Sequence, residues 1–133
     1  MLKFARMGIA VCLFLSVWSP AVAIAEPSHT PDIELWLGER VGRFGDYEFK
    51  IVGGKPTHPT PTGAFQVEWK SRNWWSRQYN APMPYSLFFK GGAAIHEGSL
   101  SGMSHGCVRV TMATARYLYY GANEKVTRVF VYP

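Results

Sequence analysis

The chain contains little cysteine and no excess of acidic residues. It has two cysteines in 133 residues, and 14 Lys and Arg against 9 Asp and Glu. So few cysteines exclude a fold that depends on disulfides. The net charge of +5 comes from basic residues scattered along the chain, which argues against a nucleic-acid-binding surface. The chain also lacks the CxxC and HExxH spacings that are typical of zinc proteins.

The N-terminal apolar run, residues 7–18, is shorter than the ~20 residues that a membrane-spanning helix needs. It follows the positively charged residues Lys3 and Arg6. After it come two short patterns of small residues that are typical of signal-peptide cleavage sites. This order predicts a signal peptide over residues 1–25 that is removed after export. We therefore expect a protein secreted across the inner membrane, located in the periplasm or cell wall, that meets the membrane only during export. A retained membrane anchor and a lipoprotein signal at Cys12 are the alternatives.

The remaining sequence is long enough for one hydrophobic core. Residues 26–32 are predicted to form a short N-terminal tail, and residues 33–133 a single domain. Apolar and polar residues alternate through most of this domain, with glycine and proline between the runs, which predicts strands. The predicted strands are residues 33–37, 47–51, 65–70, 85–89, 93–96 and 126–132. The domain is therefore expected to be mainly β, a β-sandwich.

Two segments depart from the strand pattern. Residues 111–120 have helical periodicity and predict one short helix, with Thr111 as N-cap and Gly121 at its end. Residues 70–85 are rich in aromatic side chains and are predicted to form a loop.

Cys107 would be the only thiol of the exported protein. A lone thiol is either buried and inert or exposed and reactive. Its neighbours favour reactivity, because Gly106 lets other groups approach the backbone and because His96 and His105 can act as base or orienting group. The positive charge of Arg109 would favour the thiolate. These are the components of a cysteine nucleophile that attacks a carbonyl carbon.

Three segments in the same order match one known family. They are residues 104–109 (SHGCVR) with His96 upstream, residues 60–65 (TPTGAF), and residues 81–85 (APMPY) followed by 91–96 (GGAAIH). The chain resembles the catalytic domain of the L,D-transpeptidases (the YkuD type), in their short secreted bacterial branch. These enzymes remodel peptidoglycan and act in cell wall organisation and cell shape. The resemblance runs from about residue 33 to residue 131 and implies a β-sandwich whose helix follows the catalytic cysteine.

The resemblance implies the following chemistry, which needs no cofactor or metal. Cys107 is the nucleophile that attacks the carbonyl preceding the terminal D-alanine of a peptidoglycan stem peptide. His96 is the proton acceptor and donor for that step. The backbone around His105 and Gly106 forms the loop that stabilises the oxyanion.

Three further residues are predicted to bind the substrate: Ser104, Arg109 and Tyr85. Ser104 either contacts the substrate or hydrogen-bonds within its loop. Arg109 either binds a substrate carboxylate, supports the thiolate, or is a solvated strand residue. Trp74 and Trp75 either form a wall of the substrate cleft or cap the core.

The sequence does not identify the acceptor of the acyl group. A diaminopimelate amine on another stem peptide makes the protein an L,D-transpeptidase, and the lysine of a wall-anchored protein is a second amine acceptor. Water as acceptor makes it an L,D-carboxypeptidase. Two other classes of protein are also considered. One is a zinc protein that uses His96, His105 and Cys107 with Glu97 as ligands, and the other is a wall-binding module with an incidental thiol.

Overall fold

The structure is a computed structural model that describes residues 16–21 and 30–133. Most of the predicted signal peptide and tail lie outside these residues, so export stays a prediction. Within the described residues, no helix has the length and apolar character needed to cross a membrane.

Five short strands form the first sheet. They are β1 (Ile33–Trp36), β2 (Val41–Phe44), β3 (Tyr47–Lys50), β4 (Gly63–Gln66) and β9 (Arg128–Tyr132), and all of them except β4 contain buried residues. Their order across the sheet is β3-β2-β1-β9-β4. The two central strands β1 and β9 are parallel, and the other neighbours are antiparallel.

The second sheet has four strands in the order of the sequence. They are β5 (Trp69–Ser76), β6 (Ala81–Lys90), β7 (Ala93–Glu97) and β8 (Val108–Val110). The pairs β5–β6 and β6–β7 are antiparallel, whereas β7 and β8 are parallel. The helix α1 (Met112–Gly121) follows β8 directly.

Both sheets and the helix enclose one main core. Ile33 and Leu35 enter it from the first sheet, Leu87 and Phe89 from the second, and Leu118 from α1. The helix is capped as predicted by the sequence, because its N-cap side chain accepts a hydrogen bond from the backbone of the first turn. A mainly β domain of two sheets with one short helix is thereby confirmed.

The predicted loop at residues 70–85 is wrong, because this segment forms most of the β5–β6 hairpin. Pro82 and Pro84 weaken the strand pattern of β6, since proline cannot donate a backbone hydrogen bond. Both prolines lie in the half of β6 that pairs with β5 but not with β7. One side of that half is therefore an edge, where proline is tolerated.

Two other strands differ from the prediction. The predicted strand at 65–70 divides between the sheets, because β4 ends at Gln66 and β5 begins at Trp69. The chain passes from one sheet to the other at Val67. The N–H of Val67 donates to the carbonyl oxygen of Thr127, the residue before β9, whereas the N–H of Glu68 donates to the carbonyl oxygen of Phe88 of β6. Strand β2 has only four residues and contains a glycine, so it gives too little alternation to be predicted.

Candidate active site

The parallel pair β7 and β8 brings the predicted histidine and cysteine to one face of the second sheet. In the register of this pair, Ile95 lies opposite Val108, and both are fully buried in the main core. Side chains alternate along a strand, so the residues next to these two point to the opposite face. Those residues are Ala94, His96, Cys107 and Arg109, of which the last three have chemically active side chains. The packing of the core therefore collects three chemically active side chains outside it.

A cleft of about 200 Å³ lies on this outer face. The predicted site residues that line it are His96, Ser104, His105, Cys107 and Arg109. The β5–β6 hairpin also contributes to the lining, through side chains that include Tyr79 and Met83. A second cavity of about 270 Å³ shares Tyr79, His105 and Cys107 with the cleft and is lined by Gly106. Six of the seven predicted site residues are thus brought together.

Tyr85 is the predicted site residue that the structure places elsewhere. It is a buried member of the main core and packs edge to face against Tyr119 of α1, with 5.5 Å between ring centroids. It lines neither cavity at Cys107. This corrects the expectation that Tyr85 contacts the substrate, since packing against the helix draws its ring to the other side of the sheet.

Tyr85 nevertheless determines which side chains the hairpin turns toward the cysteine. Tyr85 and Leu87 belong to the main core, whereas Phe88 belongs to a smaller apolar cluster that includes Cys107 at its edge. Regular alternation would place Met83 in the main core as well, but it lies in the smaller cluster. The alternation is reset at Tyr85, which has a φ of 52°. Such a conformation costs a non-glycine residue ~1–3 kcal/mol, which the packing around the ring must offset.

His96 is oriented by a backbone carbonyl rather than by a carboxylate. Its side chain is buried, and Nδ1 donates a hydrogen bond to the carbonyl oxygen of Glu97 at 2.6 Å. A carbonyl can only accept, so the proton of the neutral ring is on Nδ1 and the lone pair is on Nε2. Burial lowers the pKa of His96, and the charge of Arg109 lowers it further, although the bond to Glu97 opposes both. The ring is therefore a neutral base that can accept a proton at Nε2.

Cys107 is partly buried against the smaller apolar cluster, which includes Trp69 and Met83. This burial raises the pKa of the Cys107 thiol. A backbone hydrogen bond at Ala94 and the charge of Arg109 act in the opposite direction but do not outweigh it. The charge of Arg109 thus favours the thiolate, as predicted from the sequence, but burial has the larger effect on the pKa of Cys107. At rest, the site holds a neutral thiol and a neutral imidazole.

The loop before the cysteine is held by the side chain of Ser104. This buried hydroxyl donates to the carbonyl oxygen of Cys107 and accepts from the N–H of Gly106 at 3.1 Å. The Ser104 backbone is bonded in turn to Gly53 and Lys55. Two roles were predicted for Ser104, contact with the substrate and hydrogen bonding within its loop. The observed hydrogen bonds are those of the loop.

Gly106 has a φ of 122°, a conformation that strongly favours glycine. Its N–H already donates to Ser104, so Gly106 contributes the shape of the turn rather than a free donor. The oxyanion donors expected around this glycine must therefore come from other N–H groups of the loop.

His105 connects the nucleophile loop to two other segments. Its ring stacks on Tyr79 of the hairpin, with 4.5 Å between centroids, and meets His58 edge to face at 5.4 Å. Desolvation lowers the pKa of His105, and the nearby charge of Lys55 adds to that shift. These contacts hold the ring between neighbouring loops. Sequence analysis missed the part that Tyr79 and His58 play, because both are distant from the SHGC motif along the chain.

Arg109 lies along the cleft and is held by a contact to the chain beside it. Its Nη2 donates to the carbonyl oxygen of Ser101 at 3.3 Å, while its Nε is buried and has no hydrogen-bond partner within the described residues. The aliphatic stem crosses Gly98, where an added Cβ would lie 2.7 Å from Arg109 Cδ. Glycine at this position leaves room for the stem. The guanidinium also lines the cleft, where it can pair with a carboxylate that enters.

His96, His105 and Cys107 line one cleft, but they do not form a metal-binding group. Among residues 16–21 and 30–133, no group of three or more His, Cys, Asp or Glu side chains is close enough to hold a metal ion. The zinc interpretation therefore gains no support from the geometry.

The chain belongs to the family of L,D-transpeptidase catalytic domains (YkuD), whose family model matches residues 35–131. This confirms the resemblance found in the sequence. No curated protein matches the sequence.

Solved structures of L,D-transpeptidases share the fold. The enzyme from Stackebrandtia nassauensis has 20% identity and a TM-score of 0.71, over 87% of this chain and 62% of that one. The one from Xylanimonas cellulosilytica has 24% identity and a TM-score of 0.70, over 80% and 62%. A cysteine-to-serine mutant of the Enterococcus faecium enzyme has 24% identity and a TM-score of 0.69, over 77% and 50%. The chain thus spans between half and about three fifths of the length of these proteins.

The burial of Cys107 predicts how the rate of its alkylation by iodoacetamide depends on pH. The thiolate is the reactive form, and burial disfavours it, so the rate should rise with pH through a pKa above that of an ordinary thiol. Arg109→Met should move this pKa higher still, because it removes a charge that favours the thiolate. The rates are measured by mass spectrometry in a Cys12→Ser background. A pKa below the ordinary thiol value would contradict this description of the site.

The contacts of Ser104 predict the effect of removing its hydroxyl. Ser104→Ala leaves the Gly106 N–H and the Cys107 carbonyl without their partner, which should cost about 1–3 kcal/mol of unfolding free energy. The Gly106 amide should also exchange faster with solvent, whereas Ser104→Thr should restore slow exchange. Urea unfolding and amide exchange by NMR measure the two effects. Unchanged exchange at Gly106 in Ser104→Ala would show that the hydroxyl does not hold the loop.

Proposed function

We propose that this protein is an L,D-transpeptidase that acts on peptidoglycan stem peptides through a thioester on Cys107. One observation supports this most strongly: core packing of β7 and β8 leaves His96, Cys107 and Arg109 on one face, along one cleft. The family of the chain supplies the class of reaction. Export by the predicted signal peptide would deliver the enzyme to its polymer in the periplasm or cell wall.

In the first half-reaction, Cys107 Sγ attacks the carbonyl carbon that precedes the terminal D-alanine, and Nε2 of His96 takes the thiol proton. The carbonyl oxygen becomes an oxyanion that N–H groups of the loop stabilise. The intermediate then collapses: the C–N bond breaks, and His96 returns the proton to the leaving amine of D-alanine. The products of this step are a Cys107 thioester and free D-alanine.

In the second half-reaction, an acceptor amine attacks the thioester carbonyl and His96 accepts its proton. The C–S bond breaks, the new amide forms, and the proton returns to the thiol. A diaminopimelate side chain of another stem peptide is the proposed amine, and a lysine of a wall-anchored protein would use the same chemistry. Attack by water would instead release a tripeptide, which is the carboxypeptidase reaction.

The charge of Arg109 suits the anionic ends of such substrates. Its guanidinium lies on the same face as the attacking thiol and lines the same cleft. We propose that it binds a carboxylate of the stem peptide and positions the scissile carbonyl. The same charge favours negative charge on sulfur during attack.

The test is to incubate the protein with a defined stem tetrapeptide and to identify the products by mass. Transpeptidation predicts free D-alanine and a cross-linked dimer. Cys107→Ser should fold but lose about a thousandfold or more in turnover, because serine is far less acidic than cysteine. His96→Gln should lose a comparable factor, because it keeps the size of the side chain but not the base.

Two outcomes separate the alternatives. A tripeptide without a dimer would assign the protein as an L,D-carboxypeptidase. Turnover by Cys107→Ser close to that of the parent protein would rule out the cysteine mechanism. Circular dichroism of both variants confirms that any loss is chemical rather than structural.

A further inference from the structure

Two tryptophans of the β5–β6 hairpin are exposed outside the cleft. Trp74 is 43% exposed and Trp75 is 51% exposed, although indoles are usually mostly buried. Together with the exposed Arg77, they line an open groove of about 580 Å³. This volume is in the range of ligand-binding sites, about 300–1,000 Å³.

The two indoles are held differently. Trp74 packs edge to face against Trp69 and Phe88, with ring centroids 5.2 and 5.8 Å away. Trp69 in turn stacks flat on Phe88 at 3.8 Å, so Trp74 stands on a rigid aromatic base. Trp75 takes part in none of the aromatic pairs found among the described residues. Core packing therefore explains the position of Trp74, whereas Trp75 is half-exposed without an aromatic partner within the described residues.

The groove adjoins the catalytic cleft along the hairpin, although the two share no lining residue. In the ladder of β5 and β6, Trp74 lies opposite Met83 and Trp75 lies opposite Pro82. Both partners line the cleft at Cys107, and so does Ser76, the residue that follows Trp75. A ligand in the groove would thus lie next to whatever occupies the cleft.

The chemistry of the groove suits a sugar chain. A pyranose ring has an apolar face of C–H groups that packs on an indole, and its hydroxyl and acetamido oxygens accept hydrogen bonds. Tryptophan offers a large, rigid apolar face for such a contact. Arg77 supplies several N–H donors beside the indoles, and it takes part in neither of the two ion pairs in the described part of the chain.

We propose that Trp74, Trp75 and Arg77 form a glycan-binding subsite for the N-acetylated sugar chain that carries the stem peptide. This inference rests on the proposed function for the identity of the sugar, since the stem peptides of peptidoglycan are attached to such a chain. Binding of the sugar beside the cleft holds the attached peptide near Cys107, which raises its effective concentration there. The subsite therefore selects peptides that are still joined to glycan.

The first experiment measures sugar binding without catalysis. Chitotetraose, a tetramer of N-acetylglucosamine, is titrated into the full-length Cys107→Ala protein, and binding is followed by tryptophan fluorescence and calorimetry. We expect saturable binding that Trp75→Ala weakens about tenfold or more and that Trp75→Tyr largely restores. Tyr120→Ala is the matched control, because Tyr120 is an exposed aromatic residue on α1 that lines neither the groove nor the cleft. Absence of saturable binding by the parent would overturn the proposal, as would equal weakening in the control.

The second experiment compares two donors with the active protein, one a free tetrapeptide and the other the same tetrapeptide linked to its disaccharide. Trp75→Ala should lower kcat/KM about tenfold for the linked donor and leave the free donor unchanged. An equal loss for both donors would overturn the proposal, because Trp75 would then contribute to binding of the peptide and not of the sugar. The proposal would also be overturned if the protein bound phosphatidylglycerol vesicles through Trp75 but did not bind chitotetraose. The two indoles would then form a membrane-binding site. If neither donor is turned over but chitotetraose still binds, the proposed function fails while the glycan subsite stands.

Discussion

The site depends on the alternation of side chains along two short parallel strands. Val108 is fully buried in the main core, and its two neighbours in the chain, Cys107 and Arg109, therefore emerge on the outer face. A slip of one residue in β8 would exchange these faces and bury the cysteine. The register is fixed from both sides, since Arg109 exchanges two backbone hydrogen bonds with Val52 while it lies opposite His96 in β7. The packing of the core thus fixes the positions of His96, Cys107 and Arg109.

The same burial that positions the reacting groups keeps them uncharged. The pKa of Cys107 is raised and that of His96 is lowered, each mainly by burial. A neutral pair of this kind avoids the cost of an ion pair shielded from water. In the proposed reaction, the proton would therefore move to Nε2 of His96 as the thiol attacks, which would make His96 a general base. The carbonyl of Glu97 is the group that makes Nε2 the basic nitrogen.

Much of this arrangement could be predicted from the sequence, and the rest could not for identifiable reasons. The short apolar run at residues 93–96 and the SHGC motif are local signals, so they predicted strand β7, the nucleophile loop and six residues that line the cleft or the second cavity beside it. The hairpin at residues 69–90 was missed because its prolines and its run of aromatic residues hide the strand period. The position of Tyr85 could not be predicted either, because its positive φ resets that period within the strand. The contacts of His105 with Tyr79 and His58 are set by tertiary packing and leave no local signal.

The central claim is that one thiol, Cys107, forms the covalent intermediate with His96 as its base. A carbapenem tests it directly, because its strained carbonyl resembles the donor amide and its opened ring stays attached after attack. Peptide mapping by mass spectrometry should find one adduct, located on Cys107, that forms more slowly in His96→Gln and is absent in Cys107→Ala. Protein that stays unmodified after prolonged incubation, or an adduct on another residue, would contradict the account.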